Sequence, residues 1–177
     1  MRSAHLVNRL LMLARAEPEA ALIREQVAVD LLPFVRRVVA DAVPRALRAG
    51  ADLGMDEAAA PAAPVVQANP LLLGEALNNV LDNAIDYAGS GSEITVRVLQ
   101  DGGAALIVVT DNGPGIPAAD RTRVFDRFVR LTDRGLGCGL GLAIVKEIVE
   151  RHGGTVALED AVPHGLKVVL RLPLGQG

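Results

Sequence analysis

Two β-rich runs, Glu93 to Leu99 and Ala105 to Thr110, stand either side of Asp101-Gly102-Gly103, and this arrangement commits the chain to an antiparallel hairpin. A lone hairpin is marginal in water, so it demands further strands and an apolar layer over one face. The rest of the chain supplies both. Gln26 to Asp30, Ala51 to Met55, a short stretch around Val65 and Val66, Thr155 to Leu158 and Leu166 to Leu172 read as strands. Leu31 to Arg48 reads as an amphipathic helix. Asn69 can cap a second helix with Pro70 at its first position, running to about Ala88 and ended by Gly89 to Gly91. A third runs from about Leu140 to Arg151 and is closed by His152 and Gly153-Gly154. Ala58 to Pro64, rich in Ala and Pro, is a loop. The expected fold is α/β of the α+β kind: a two-layer sandwich in which helices cover one face of a mixed, mostly antiparallel sheet.

A chain of 177 residues suits one well-cored domain with an appendage. The appendage is N-terminal. From Ser3 to about Glu17 the residues Leu6, Val7, Leu10, Leu11, Leu13 and Ala14 recur at helical spacing until Pro18 closes the pattern. Its apolar seam fits either packing on its own domain or a partner helix from another segment or subunit. With only one Tyr, three Phe and no Trp, aliphatic side chains must fill the core. A net charge of −3, without a basic run interleaved with aromatics, offers nothing to a nucleic-acid backbone. The single Cys138 suits a reducing compartment, and no apolar run approaches the roughly 18 residues of a membrane span. The chain itself is therefore expected to be cytoplasmic. His5, His152 and His164 lack partners at metal or triad spacing and read as surface or helix-end residues.

Four segments could carry chemistry. In Leu77-Asn78-Asn79-Val80-Leu81-Asp82-Asn83-Ala84, Asn79 and Asn83 lie one turn apart on one helix face. Amide oxygens can ligate a hard cation such as Mg²⁺ without a carboxylate's charge, and they can equally satisfy neighbouring backbone. In Val109-Thr110-Asp111-Asn112-Gly113-Pro114-Gly115-Ile116 a strand runs into a turn, where Asp111 could accept from an exocyclic amine while the glycines let backbone approach a flat ring. In Gly135-Leu136-Gly137-Cys138-Gly139-Leu140-Gly141 alternate glycines expose backbone N–H groups ahead of a helix, which suits phosphate. No Gly-Lys-Ser/Thr follows, so this is not a Walker loop. Between these two, Arg123-Val124-Phe125-Asp126-Arg127-Phe128-Val129-Arg130 places Phe125 and Phe128 at i, i+3, where they could pin a loop over a ring while Arg127 or Arg130 meets phosphate. An amphipathic turn on the core explains the same spacing.

Taken in this order, the four segments resemble the N, G1, F and G2 boxes of bacterial sensor histidine kinases, over Pro70 to Leu172. The resemblance implies the Bergerat ATP-binding fold, and phosphoryl transfer from Mg-ATP to a histidine on a separate helical hairpin. It implies that Asn83 coordinates Mg²⁺ with Asn79 beside it, and that Asp111 binds the adenine amine. Gly113, Gly115 and Ile116 then shape the adenine pocket, with Tyr87 near the ring. Phe125 and Phe128 anchor a lid with Arg130, and Gly137, Gly139, Leu140 and Gly141 line the triphosphate.

Residues 1–17 look like the end of the second helix of the dimerisation hairpin, and 18–177 like the catalytic domain. The family's phosphoacceptor motif, His-acid-Leu-Arg-Thr-Pro, is absent, so autophosphorylation of the chain alone is not expected. By the same resemblance the partners are that hairpin and a response regulator, and the whole kinase is a homodimeric inner-membrane sensor. Asp86 stands where the family usually has Lys or Arg. Two other readings fit parts of the pattern. One is a Bergerat ATPase of the gyrase, chaperone or mismatch-repair kind, which carries a water-activating Glu where Asn79 stands; the other is a degenerate nucleotide-binding or interaction module.

Overall fold

The computed structural model describes residues 25–57, 64–130 and 139–175. The N-terminal helix expected over Ser3 to Glu17 lies outside these residues, as do most of the Ala-Pro loop and Gly135 to Cys138.

Strand β1 (Val27–Asp30) leads directly into helix α1 (Leu31–Ala49), because Asp30 turns its carboxylate back to accept from the Leu32 N–H at 3.3 Å. Gly50 ends α1 in the left-handed conformation and β2 (Asp52–Met55) follows. β3 (Val65–Ala68) precedes helix α2 (Pro70–Ala88), whose N-cap Asn69 accepts from the Leu71 and Leu72 N–H groups at 2.9 and 3.2 Å. The hairpin β4 (Glu93–Asp101) and β5 (Ala104–Asp111) comes next, then two 3₁₀ turns at Ala118–Asp120 and Arg123–Phe125. Helix α3 (Gly141–Arg151), β6 (Thr155–Asp160) and β7 (Leu166–Pro173) complete the chain.

Five strands form one sheet in the order β2-β4-β5-β7-β6, antiparallel except for the β2–β4 pair, and β1 and β3 form a separate antiparallel pair. Register sorts the side chains. Val96, Val109, Val168 and Leu158 lie in one cross-strand row, and Val98, Ile107, Leu170 and Val156 in the next. These rows share a single core with Leu31, Val35 and Val39 of α1, Leu73, Leu77 and Leu81 of α2, and Val145 and Val149 of α3. The alternate rows carry charges on the open face, where Lys167 meets Glu159 at 2.8 Å and Arg171 meets Asp101 at 3.0 Å. The expected two-layer architecture is therefore present; β1 and β2 start one residue later than expected, and β4 to β7 extend by one or two residues at their ends.

His152 departs from its expected surface setting. It does end α3, but it is only 5% exposed, and Gly153-Gly154 turn the chain beneath it. A Cβ on Gly154 would lie 2.2 Å from the Arg171 carbonyl, so only glycine fits between α3 and β7.

Candidate functional site

The N-terminal end of α3, the C-terminal half of α2 and the end of β5 enclose a cavity of about 280 Å³. Helix α2 contributes the amides. Asn79, 3% exposed, donates its Nδ2 to the Glu75 carbonyl at 2.9 Å. Its oxygen then turns toward α3: a Cβ on Gly141 would lie 3.5 Å from Asn79 Oδ1 and 3.4 Å from Asn83 Oδ1. The start of α3 at Gly141 thus lies directly beside two amide oxygens. At that start Leu140 provides no side-chain cap, so the first-turn N–H groups and the positive end of the helix dipole face the cavity mouth.

Asp111 closes the other end. It is 7% exposed, and its Oδ1 accepts from the Gly113 N–H at 2.9 Å and the Leu166 N–H at 3.4 Å. Burial pushes its carboxyl above the usual range, against those two backbone bonds, which pull it down. Three glycines make the close fit. A Cβ on Gly113 would lie 2.6 Å from the Ala88 Cα, one on Gly115 would lie 2.9 Å from the Gly165 carbonyl oxygen, and one on Gly165 would lie 1.8 Å from the Asp111 carbonyl oxygen. Val109, Ile116, Leu142 and Val168 supply apolar walls. A buried acceptor at the bottom of an apolar slot is the arrangement that orients a flat heteroaromatic ring bearing an amine.

Asn79, Asn83, Tyr87, Asp111, Gly115, Ile116, Arg130, Gly139 and Gly141 all line this cavity. Four expected residues do not. Gly113 sits behind Asp111, and Leu140 precedes α3 as its N-cap. Phe125 packs on the core with Lys146 5.8 Å from its ring centre, and Phe128 is 68% exposed. Phe128 also has φ of 68°, and its N–H donates to the Gly139 carbonyl at 2.8 Å, which brings together the two sides of the intervening residues 131–138. Gly137 lies outside the described residues.

Sequence reasoning passed over Gly165 and Leu166, whose backbone grips Asp111, because the turn before the last strand carries no motif of its own. It also passed over Asp82, which lies 2.9 Å from the Arg45 guanidinium. Asp86, one turn further along α2, lines the cavity as well; burial and the neighbouring Asp82 push its carboxyl up, while Arg45 pulls it down.

A buried acceptor, paired amides and an uncapped helix start converge on one slot. Comparison with known proteins gives the class. Residues 68–176 match the model of the histidine kinase-, DNA gyrase B- and HSP90-like ATPase family. The histidine-protein kinase/phosphatase MprB of Mycolicibacterium vanbaalenii is 50% identical over 96 residues, which is 52% of this chain and 20% of that protein. A solved structure of a mycobacterial sensor histidine kinase MprB is 35% identical, with a TM-score of 0.73 over 86% of this chain and 99% of that one. Full-length ShkA, solved in complex with AMPPNP, is 28% identical with a TM-score of 0.75 over 86% of this chain and 32% of that one. The chain belongs to this ATPase family, as a catalytic ATP-binding domain of the sensor histidine kinase type. It spans about a fifth of the length of the curated relatives it matches. Among the described residues no helix is long and apolar enough to cross a membrane.

Proposed function

We propose that the domain binds ATP in this cavity and transfers its γ-phosphoryl group to a histidine on a helical hairpin. The observation that carries the reading is the convergence of the Asp111 carboxylate, the Asn79 and Asn83 amides and the start of α3 on one slot. The adenine amine donates to Asp111, Tyr87 lies beside the ring, and Gly115 and Ile116 shape the pocket. The phosphates run toward Gly139 and Gly141, whose N–H groups and helix dipole compensate their charge. Arg130 adds a cation at the cavity wall, and Leu140, as its N-cap, leads into the helix. Phe125, packed on the core, and the Phe128 backbone, bonded to the Gly139 carbonyl, hold the base of a lid over the nucleotide.

The donor set also fits Mg²⁺. The Asn83 amide oxygen, on the cavity wall beside Gly141, would hold the ion together with phosphate oxygens and water. When bound, Mg²⁺ neutralises charge on the phosphates. The protein's remaining work is positioning, because little covalent chemistry falls to it in phosphoryl transfer. A histidine nitrogen attacks the γ-phosphorus, the bond to the β,γ-bridging oxygen breaks, and ADP leaves. An amide at Asn79 cannot act as a general base for water, which favours transfer over hydrolysis.

In the whole protein, residues 1–17 end the second helix of a dimerisation hairpin, residues 18–177 form the catalytic domain, and the phosphohistidine passes its group to a response regulator. That protein is a homodimeric sensor at the inner membrane. The test is transfer in trans: radiolabelled ATP, this chain and its parent's hairpin are mixed, and acid-labile, base-stable label on the hairpin is counted. Label that needs both this chain and the hairpin histidine supports the reading. Label that fails to appear while the chain binds ATP overturns transfer as its role.

A further inference from the structure

The two helices that build the nucleotide cavity are tied together at their far ends by one buried ring. His152 Nε2 lies 3.1 Å from the Asn69 backbone nitrogen at the start of α2, and His152 Nδ1 lies 2.7 Å from the Ile148 carbonyl in α3. A carbonyl can only accept and an amide N–H can only donate, so the ring is the neutral tautomer with its proton on Nδ1. Both nitrogens are used, and the ring is 5% exposed.

The helices therefore run antiparallel, with His152 at the end of α3 fixed against the beginning of α2. At 1.5 Å per residue, Asn79 lies about 15 Å along α2 from Asn69, and Gly141 lies about 16 Å back along α3 from His152. The near-equal spans bring Gly141 level with Asn79, where a Cβ on the glycine would lie 3.5 Å from the amide oxygen. A bond that fixes one end of an antiparallel pair fixes the register at the other. Asn69 is also the residue whose side chain caps α2, so the tie holds the helix at its most ordered point.

We propose that His152 is a positioning residue of the nucleotide site, which sets the register of α2 against α3 and hence the fit between the amide pair and the phosphate-facing start of α3. The inference rests on the ATP-site reading for its functional consequence and on the apo protein for its geometry. Replacement by Gln keeps an acceptor and a donor on one side chain; replacement by Leu keeps neither.

The experiment compares the full 177-residue chain with His152→Gln, His152→Leu and Val98→Ala, a core change in β4 away from the cavity. Mg-ATP titration is run at a temperature where circular dichroism shows every variant folded, and amide hydrogen exchange is followed without nucleotide. His152→Leu should bind about 10-fold or more weakly, the scale on which small misplacements act. It should also speed exchange in the first turn of α3. His152→Gln should stay within about 3-fold of the unaltered chain, since an amide can make both bonds. Val98→Ala should lose stability without either effect.

If His152→Leu matches Val98→Ala in both readouts, the histidine is merely structural and the proposal falls. If the unaltered chain binds no nucleotide, the ATP reading fails, and the exchange comparison still decides the register. Should His152→Leu not fold, His152→Asn, too short to bridge both partners, replaces it with the same two outcomes.

Discussion

Asp111 and Asp86 both line the cavity, and burial pushes both carboxyls up, yet their charges have different consequences there. For Asp111 the folded carboxyl pKa is raised by burial, against the backbone bonds from Gly113 and Leu166. A raised folded value means that the stabilising contribution is fully present below the unfolded carboxylate value and is lost as pH rises through the folded one. The apo domain is thus held with an ionised group it would rather protonate, and an amine that donates to that group relieves the cost. Over the same window, between the ordinary carboxylate value and the raised one, nucleotide binding should weaken on acidification as the acceptor is protonated. Asp111→Asn can keep its oxygen toward Gly113 and Leu166 but then presents NH₂ to the amine. We expect it to be at least as stable as the unaltered chain to thermal melting, and to bind ATP about 10- to 100-fold less tightly, the value of a hydrogen bond to a charged group. Retained affinity in a folded Asp111→Asn would remove Asp111 from the site.

Asp86 lines the cavity on the helix that bears the amides, and its charge opposes phosphate. Asp86→Asn should tighten ATP several-fold and leave adenosine unchanged, with the gain shrinking as salt rises, because the rim is exposed and screened. Equal changes for ATP and adenosine would mean that Asp86 acts on pocket shape and not on charge.

At the scale of elements, α1 carries a cost. Pro44 lies inside the helix, where it removes one N–H and crowds the preceding turn, whereas Pro33 falls in the first turn, where the N–H has no intrahelical partner. Pro44→Ala should therefore raise stability by roughly 1–2 kcal/mol in urea unfolding, the helix-interior penalty less the unfolded-state entropy that proline removes. A loss of stability would show that the exposed ring makes contacts worth more than the helix bond.

The elements were largely legible before the structure. Asn69-Pro70 announces the start of α2, Asp101-Gly102-Gly103 the hairpin, and Gly153 closes α3 in the left-handed conformation. What local sequence could not reveal is pairing at a distance. His152 looked like a helix end because its partner, Asn69, is 83 residues away. Gly165 gave no signal because the atom that forbids a side chain there belongs to Asp111. The i, i+3 spacing left the setting of Phe128 open, and the structure gives it a positive φ and an exposed ring.

For the molecule as a whole, one sheet face and the three described helices share one core, and the site opens where α2 and α3 part beside β5. The sheet supplies Asp111 from a strand end, the helices supply amides and a dipole, and the open face carries ion pairs that no ligand needs. That division is why four short motifs spread from residue 77 to residue 141 can serve one small molecule. The central claim is that they do so together. Calorimetric titration of Mg-ATP into the unaltered chain and into Asp111→Asn tests it most directly. We predict saturable binding with a Kd between about 1 μM and 1 mM for the former and binding about 10- to 100-fold weaker for the latter. Absence of binding by the folded, unaltered chain, or equal binding by both, would contradict the account.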